Sequence, residues 1–248
     1  VVIRDASQPV QLLNEGYWGM NFVEGERYIL RTIIRTSSDY KGKVTVRLLS
    51  SEGKILSSET LDIINGGEWN DVKKTLTAVG HDSKGRLALE FDSPGTVWVD
   101  YVSLFPENTF NNRPNGLRRD VAEMLVGLKP AFFRWLGGCV VEGITLDNRF
   151  EWKKTLGDPA ARPGEYSTWG YRCSYGFGYY EMLQFCEDIG AKAMFVCNVG
   201  LGCQFRMGDA CGEHDIDFYI DDCLDAIEYA LGDESTEWGA RRAADGHP

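Results

Sequence analysis

Along the first hundred positions, apolar and polar residues alternate. Val44, Val46 and Leu48 are separated by polar residues, and Leu87, Leu89 and Phe91 repeat the spacing with Ala88 and Glu90 between them. Trp98, Val102 and Leu104 share one parity, and Val97, Val99 and Tyr101 share the other. A period of two predicts half-buried strands. Turn signals fall between them at Ser51-Glu52-Gly53, Asn65-Gly66-Gly67, Asp82-Ser83-Lys84-Gly85 and Ser93-Pro94-Gly95. No helical pattern interrupts the series, so residues 1–106 predict an antiparallel β-sandwich of the jelly-roll kind. Tyr17, Trp18, Trp69 and Trp98 could line a sugar cleft there, but core packing is the expected role for aromatics on strands.

After Pro106 the period changes. Asn115 is placed to cap a helix with Leu117, Val121, Met124, Leu125 and Leu128 on one face, stopped by Lys129-Pro130. An apolar strand, 131–135, follows and ends in Gly137-Gly138. A long loop rich in Gly, Arg and aromatics runs to about residue 177. A helix over 178–189 then ends at Gly190, and a strand over 193–199 again ends in Gly. A last helix, 216–231, aligns Ile220, Leu224, Ile227 and Leu231. Helix, strand, helix, strand, helix predicts a parallel sheet with helical crossovers, in which ligands sit at the C-terminal strand ends. A complete (β/α)8 barrel takes about 250 residues. Residues 107–248 therefore predict only part of one, incomplete at both ends.

Charge supports the same division. Residues 1–106 carry a net −2 and residues 107–248 a net −9, making up the chain's −11. This acidic balance argues against a nucleic-acid partner, which needs basic patches. No stretch approaches the ~18 apolar residues of a membrane span. The N-terminus, Val1-Val2-Ile3-Arg4-Asp5, has neither an initiator Met nor a signal-peptide pattern and reads as an internal start. All seven cysteines lie after position 138, without the spacing of a disulfide framework, so free and mostly buried thiols are expected.

The glycines of Gly137-Gly138-Cys139 let the backbone approach a ligand closely, although a plain tight turn explains them equally well. The Lys and Ser/Thr of a phosphate loop do not follow. A nucleophilic Cys139 would need a base, and the histidines available are His81, His214 and His247, none of them in a motif. Cys203, Cys211 and His214 match no strong zinc spacing, so no metal is expected. Glu142, Asp147, Glu151 and Glu165 are loop carboxylates. A glycosidase needs two such groups across one bond, a geometry that sequence does not display. Trp169, in Thr168-Trp169-Gly170, offers a flat face for a sugar or simply packs its loop.

A set of stretches, in order along nearly the whole chain, resembles one enzyme family. They are Asn14-Glu15-Gly16-Tyr17-Trp18-Gly19-Met20, Val102 to Pro106, Asn108-Thr109-Phe110, Arg113 to Arg118, Arg134 to Gly143, Asn148 to Lys153, Arg162-Pro163-Gly164, Trp169 to Arg172, Cys186 to Ala191, and Trp238-Gly239 through Arg242-Ala243 to Gly246-His247-Pro248. The set resembles the α-L-arabinofuranosidases of glycoside hydrolase family 51, in their plant and gut-bacterial branch.

The resemblance implies a carbohydrate-binding-module-like β-sandwich, residues 1–106, and part of a (β/α)8 TIM barrel, residues 107–248. It implies a retaining hydrolase that removes terminal arabinofuranosyl groups from arabinoxylan or arabinan through two Glu residues, with no cofactor. Such a substrate favours a periplasmic or secreted location. Gly138 and Cys139 match the loop that contacts arabinose, Trp169 a residue bordering the sugar, and Arg134 a strand-end Arg that orders the carboxylates. The chain departs from the family at Leu136, usually Pro, and at Val140, usually aromatic. The resemblance places the first barrel strand before Val1, and both catalytic Glu after Pro248. On that expectation no residue here is catalytic, the chain alone is inactive, and its strand edges favour pairing with the rest of a barrel or another copy. The alternative is a non-catalytic protein that binds plant glycans through the sandwich.

Overall fold

The computed structural model describes residues 1–248, and the chain divides into two compact units, Val1–Met124 and Leu125–Pro248. In the first, nine strands run in chain order: β1 (Val2–Ile3), β2 (Val10–Asn14), β3 (Met20–Phe22), β4 (Arg27–Thr36), β5 (Val44–Leu49), β6 (Ile55–Thr60), β7 (Trp69–Thr77), β8 (Asp82–Phe91) and β9 (Gly95–Pro106). One sheet has the order β1-β9-β4-β7 and the other β2-β8-β5-β6, with β3 also paired to β8. Every pairing among these strands is antiparallel. Leu30, Ile34, Leu76 and Val97 of one sheet meet Val44, Val46, Leu48, Leu89 and Phe91 of the other in a single buried core. The alternation expected from the sequence is thus the inner face of a sandwich.

Three local expectations fail here. Asp82-Ser83-Lys84-Gly85 is the start of β8 rather than a turn. Gly85 accepts the ring of Phe22, where a Cβ would lie 2.3 Å from Cδ2, and Asp82 instead holds the true turn by accepting bonds from the Ser51 backbone and hydroxyl. The parity of β9 also breaks. Ile34 pairs with Val99 and Ile33 with Tyr101, so Asp100 is an extra residue. This bulge puts Trp98 outward, while Val102 and Leu104 fall opposite the buried Thr32 and Leu30; Leu104 packs against the core and Val102 stays exposed. Finally, Tyr17, Trp18, Trp69 and Trp98 are all exposed, so none is core.

Helix α1 spans Arg119–Gly127 and starts later than expected. Asn115 has φ 52° and sits in a turn, Gly116 N–H bonding the Arg113 carbonyl, while Arg118 bridges to Thr109. That pairing occupies the segment meant to open the helix. Its predicted core face is largely exposed at Val121, Met124 and Leu128, and Ala122 is the buried residue.

In the second unit, β10 (Phe132–Trp135) is followed by a one-turn helix α2 (Cys139–Glu142), a small hairpin of β11 (Glu165–Tyr166) and β12 (Arg172–Cys173), α3 (Tyr179–Ile189), β13 (Lys192–Phe195), α4 (Ile216–Leu231) and α5 (Glu237–Ala244). Strands β10 and β13 pair in parallel, Phe132 opposite Lys192 and Trp135 opposite Phe195, as the periodicity required. The second strand stops at Phe195, short of the predicted Val199, because Asn198 turns its side chain onto the backbone of the following loop. Helix α3 begins where the Gly178 N–H bonds the Glu181 carboxylate and ends at Gly190 with φ 68°. Helix α5, not expected from periodicity, starts at Thr236, whose hydroxyl accepts the Gly239 N–H.

The face of α4 is the opposite of the one expected. Ile220, Leu224, Ile227 and Leu231 are exposed, and Tyr219, Ala226 and Tyr229 are buried. The reason is an aromatic core in which Trp152 packs edge-on against Tyr179 and Tyr229, and the Tyr179 hydroxyl donates to the Ala226 carbonyl. No helix is long and apolar enough to cross a membrane.

Candidate functional site

Strand β10 ends in a run of unusual backbone: Leu136 at φ 58°, Gly137 at 141° and Gly138 at 52°. Gly137 is favoured by its φ, which L side chains rarely adopt; a Cβ there would also lie 1.9 Å from the Arg134 guanidinium, the movable end of an exposed side chain. Gly138 has open space where a side chain would be. Its carbonyl accepts the N–H groups of Val141 and Glu142, which closes α2 and sets Cys139 and Glu142 on one turn. Gly143, at φ 77°, then lies against the Asn148 carbonyl, where a Cβ would come within 2.4 Å.

A second loop, 198–211, follows β13 and is laced to the first. The Asn198 amide donates to the carbonyls of Val141 and Leu201. Cys203 N–H bonds Gly143 O, Met207 N–H bonds Ile144 O, and Leu146 N–H bonds the Asp209 carboxylate at 2.9 Å. The hairpin carrying Trp169 joins the same network. Asn148 donates to Glu165 and to the Tyr166 carbonyl, and Arg206 reaches the Thr168 carbonyl at 3.2 Å. Trp169 itself is 61% exposed. Three loops that are distant in sequence are therefore held as one surface at the C-terminal ends of two parallel strands.

The support beneath is rigid. Trp135 packs against Phe150, Phe177 and Phe195. The Arg162 side chain, 2% exposed, bonds Glu181, the Gly157 carbonyl and the Tyr175 carbonyl, which satisfies a buried charge on several sides. Burial pushes the hydroxyls of Tyr175 and Tyr179 above the ordinary phenol range. The Cys197 thiol is pushed up to about 12, by burial first and then by its bond with Cys223.

The loop carboxylates mostly hold structure. Glu151 pairs with Arg149 and Lys154, Glu165 holds Asn148, and Asp147 is exposed. Cys203, Cys211 and His214 do not assemble. Cys203 instead turns to Cys139 and Glu142, Cys211 lies against Gly200, and His214 is exposed. Hydrogen bonding to Cys139, then burial, raises the Cys203 thiol above its usual value. All seven cysteines are free, with Cys186 and Cys203 buried and the other five half-buried. The Cys139–Cys203 approach, 64 positions apart in the chain, had no signal in the local pattern.

The profile of the "Alpha-L-arabinofuranosidase 1 domain" matches residues 124–248. The chain is 37% identical over 246 residues to "Alpha-L-arabinofuranosidase 2" of Arabidopsis thaliana, covering 96% of this chain and 35% of that protein. It is 34% identical to the "Extracellular exo-alpha-L-arabinofuranosidase" of Streptomyces chartreusis, covering 95% of this chain and 29% of the relative. Among solved structures, an arabinose-bound family GH51 α-L-arabinofuranosidase superposes with a TM-score of 0.92 at 33% identity, over 100% of this chain and 40% of that one. The chain thus spans about a third of the length of the curated relatives it matches. With the family profile matched over half of its length, the chain belongs to the α-L-arabinofuranosidases of glycoside hydrolase family 51.

Proposed function

We propose that the whole protein is a retaining α-L-arabinofuranosidase that removes terminal arabinofuranosyl groups from arabinoxylan or arabinan. In it, residues 1–106 act as the sandwich module and residues 107–248 as part of the catalytic barrel. The observation that carries this reading is the laced surface at the ends of β10 and β13, with an unobstructed Gly138 beside Cys139 and an exposed Trp169. A furanose presents an apolar C–H face that stacks on an indole, and hydroxyls that need hydrogen-bonding groups at close range. Gly138 lets the backbone come close, Cys139 offers a thiol, and Trp169 supplies the flat wall. Arg134, whose guanidinium lies over Gly137 at the strand end, is the positioning residue that orders the carboxylates in this reading. A polymeric plant substrate favours a periplasmic or secreted location.

Retaining hydrolysis needs two carboxyls about 5–5.5 Å apart, one as nucleophile and one as acid/base. The loop carboxylates Glu151 and Glu165 are engaged elsewhere, and Glu142 stands beside two thiols. We assign neither role to this chain and expect no release of 4-nitrophenol from its α-L-arabinofuranoside by these 248 residues alone.

One observation favours a second reading, glycan binding by the sandwich. On the outer face of β4, Arg35 lies level with Trp98 of β9 and Trp69 of β7, its guanidinium 4.4 Å and 4.9 Å from their ring centroids. Arg35 Nε is buried without a hydrogen-bond partner. This row offers stacking faces beside an unsatisfied donor. A titration of the chain with arabinofuranosyl oligosaccharides, followed by tryptophan fluorescence and calorimetry, separates the readings. We expect Trp169→Ala to weaken binding about tenfold and Trp69→Ala to leave it unchanged. The reverse pattern would transfer binding to the sandwich, and flat titrations of the unaltered chain would overturn both.

A further inference from the structure

We propose that Cys139, Glu142 and Cys203 form a site for one thiophilic divalent cation of the zinc type. Their ligand atoms all lie within 4.8 Å of one another. An ion about 2.3 Å from each sulfur in a tetrahedral site holds the two sulfurs ~3.8 Å apart, so closing the site takes a movement of about 1 Å or less. Side-chain rotation alone supplies that.

The backbone prepares this convergence. Cys139 and Glu142 stand at i and i+3 on the single turn of α2, a spacing that puts both on one side of it. Cys203 comes from the other loop and is held by its own N–H on the Gly143 carbonyl, one residue past Glu142. Its carbonyl in turn accepts the N–H groups of Arg206 and Gly208, so the residue is clamped on both sides. Asn198 on Val141 and Met207 on Ile144 fasten the two loops above and below. A site whose ligand-bearing segments are already fixed to one another loses little freedom when an ion binds.

The donor set selects the ion. Two sulfurs and one carboxylate suit Zn²⁺ or Cd²⁺ and disfavour Mg²⁺ and Ca²⁺, which require oxygen ligands. Three protein ligands leave a fourth tetrahedral position for water or another small ligand. Cys139 also belongs to the proposed sugar surface, but the argument for the cation rests on the convergence of the three ligands and its test reads metal binding without any sugar.

The test uses the 248-residue chain, kept reduced and stripped with a chelator. Zn²⁺ is titrated calorimetrically, and Cd²⁺ is followed by its sulfur-to-metal ultraviolet absorption. We expect one ion per chain, with a Cd²⁺ band of the intensity given by two thiolates. Cys139→Ser and Cys203→Ser should each weaken binding about tenfold or more, Glu142→Gln by less, and Cys211→Ser not at all. A sulfur band that survives both Cys139→Ser and Cys203→Ser, or disappears in Cys211→Ser, overturns the site, as does the absence of any sulfur band. Cys203 is buried, and its replacement risks the fold. In that case Cys139→Ser and Glu142→Gln, at half-buried positions, decide the matter, and unchanged affinity in both overturns the site.

Discussion

The sandwich and the segment from Leu125 onward place their aliphatic residues differently. In the sandwich, Leu30, Val46, Leu48 and Phe91 face inward from two sheets and are fully enclosed. In the second unit the core is aromatic, built on Trp152, Tyr179 and Tyr229, while the aliphatic stripe of α4 faces out, with Leu224 at 56% and Leu231 at 82% exposure. A strand has two faces, and once one is apolar the choice of which to bury is settled. A helix presents several overlapping faces. On α4 the tyrosines win within this unit because large rings bury more surface, and because the Tyr229 hydroxyl finds a partner in Asp245.

The largest test of that contrast is truncation in both places. Leu48→Ala should cost about 3 kcal/mol by opening a cavity, whereas Leu224→Ala should cost no more than about 0.5 kcal/mol. Denaturant unfolding with a probe in each unit measures both. A cost at Leu224 equal to that at Leu48 would mean the stripe is covered in solution, and the contrast would collapse.

Alkaline pH offers a second test. Burial raises the thiols of Cys186 and Cys197 and the hydroxyls of Tyr175, Tyr179 and Tyr229 in the second unit, against Tyr28 and Tyr40 in the sandwich. For each of them the fold favours the protonated form. Their stabilisation is therefore complete below the ordinary thiol and phenol values of 9.0 and 10.0, and is lost as pH rises toward the folded values, about 12 for Cys197 and for Tyr40. With more such groups, the second unit should unfold at lower pH than the sandwich, as read by tyrosinate absorbance and hydrogen exchange. A sandwich that opens first would reverse the expectation.

The smallest effect is local. Leu136 holds φ 58°, a conformation that is strained for leucine and forbidden to proline. Leu136→Gly should gain about 0.5 kcal/mol, the relief of strain exceeding glycine's added chain entropy. Leu136→Pro should instead destabilise the unit. If Leu136→Pro proved as stable as the unaltered chain, the backbone would have switched to another turn.

Much of the fold was legible because it depends on periodicity. The inward rows of β5 and β8, the parallel β10 and β13, and the span of α4 follow from which positions are apolar. The glycine turn after Arg134 was also legible, and the structure explains Gly137 by its φ of 141°, a conformation that L side chains rarely adopt. The bulge at Asp100 was not, since one unpaired residue inverts a parity without changing composition. Nor was the start of α1, where a bridge from Arg118 to Thr109 overrode a plausible cap.

By itself, the sequence determined the two kinds of architecture, their order and the family, because alternation, helical spacing and an ordered set of short motifs are properties of a line of residues. Tertiary structure decided which face of α4 is buried, that Trp69 and Trp98 flank Arg35 in the open, and that Cys203 meets Cys139 and Glu142. Those outcomes depend on hydrogen bonds between loops far apart in the chain and on competition among side chains for one core, and neither is written in any local stretch.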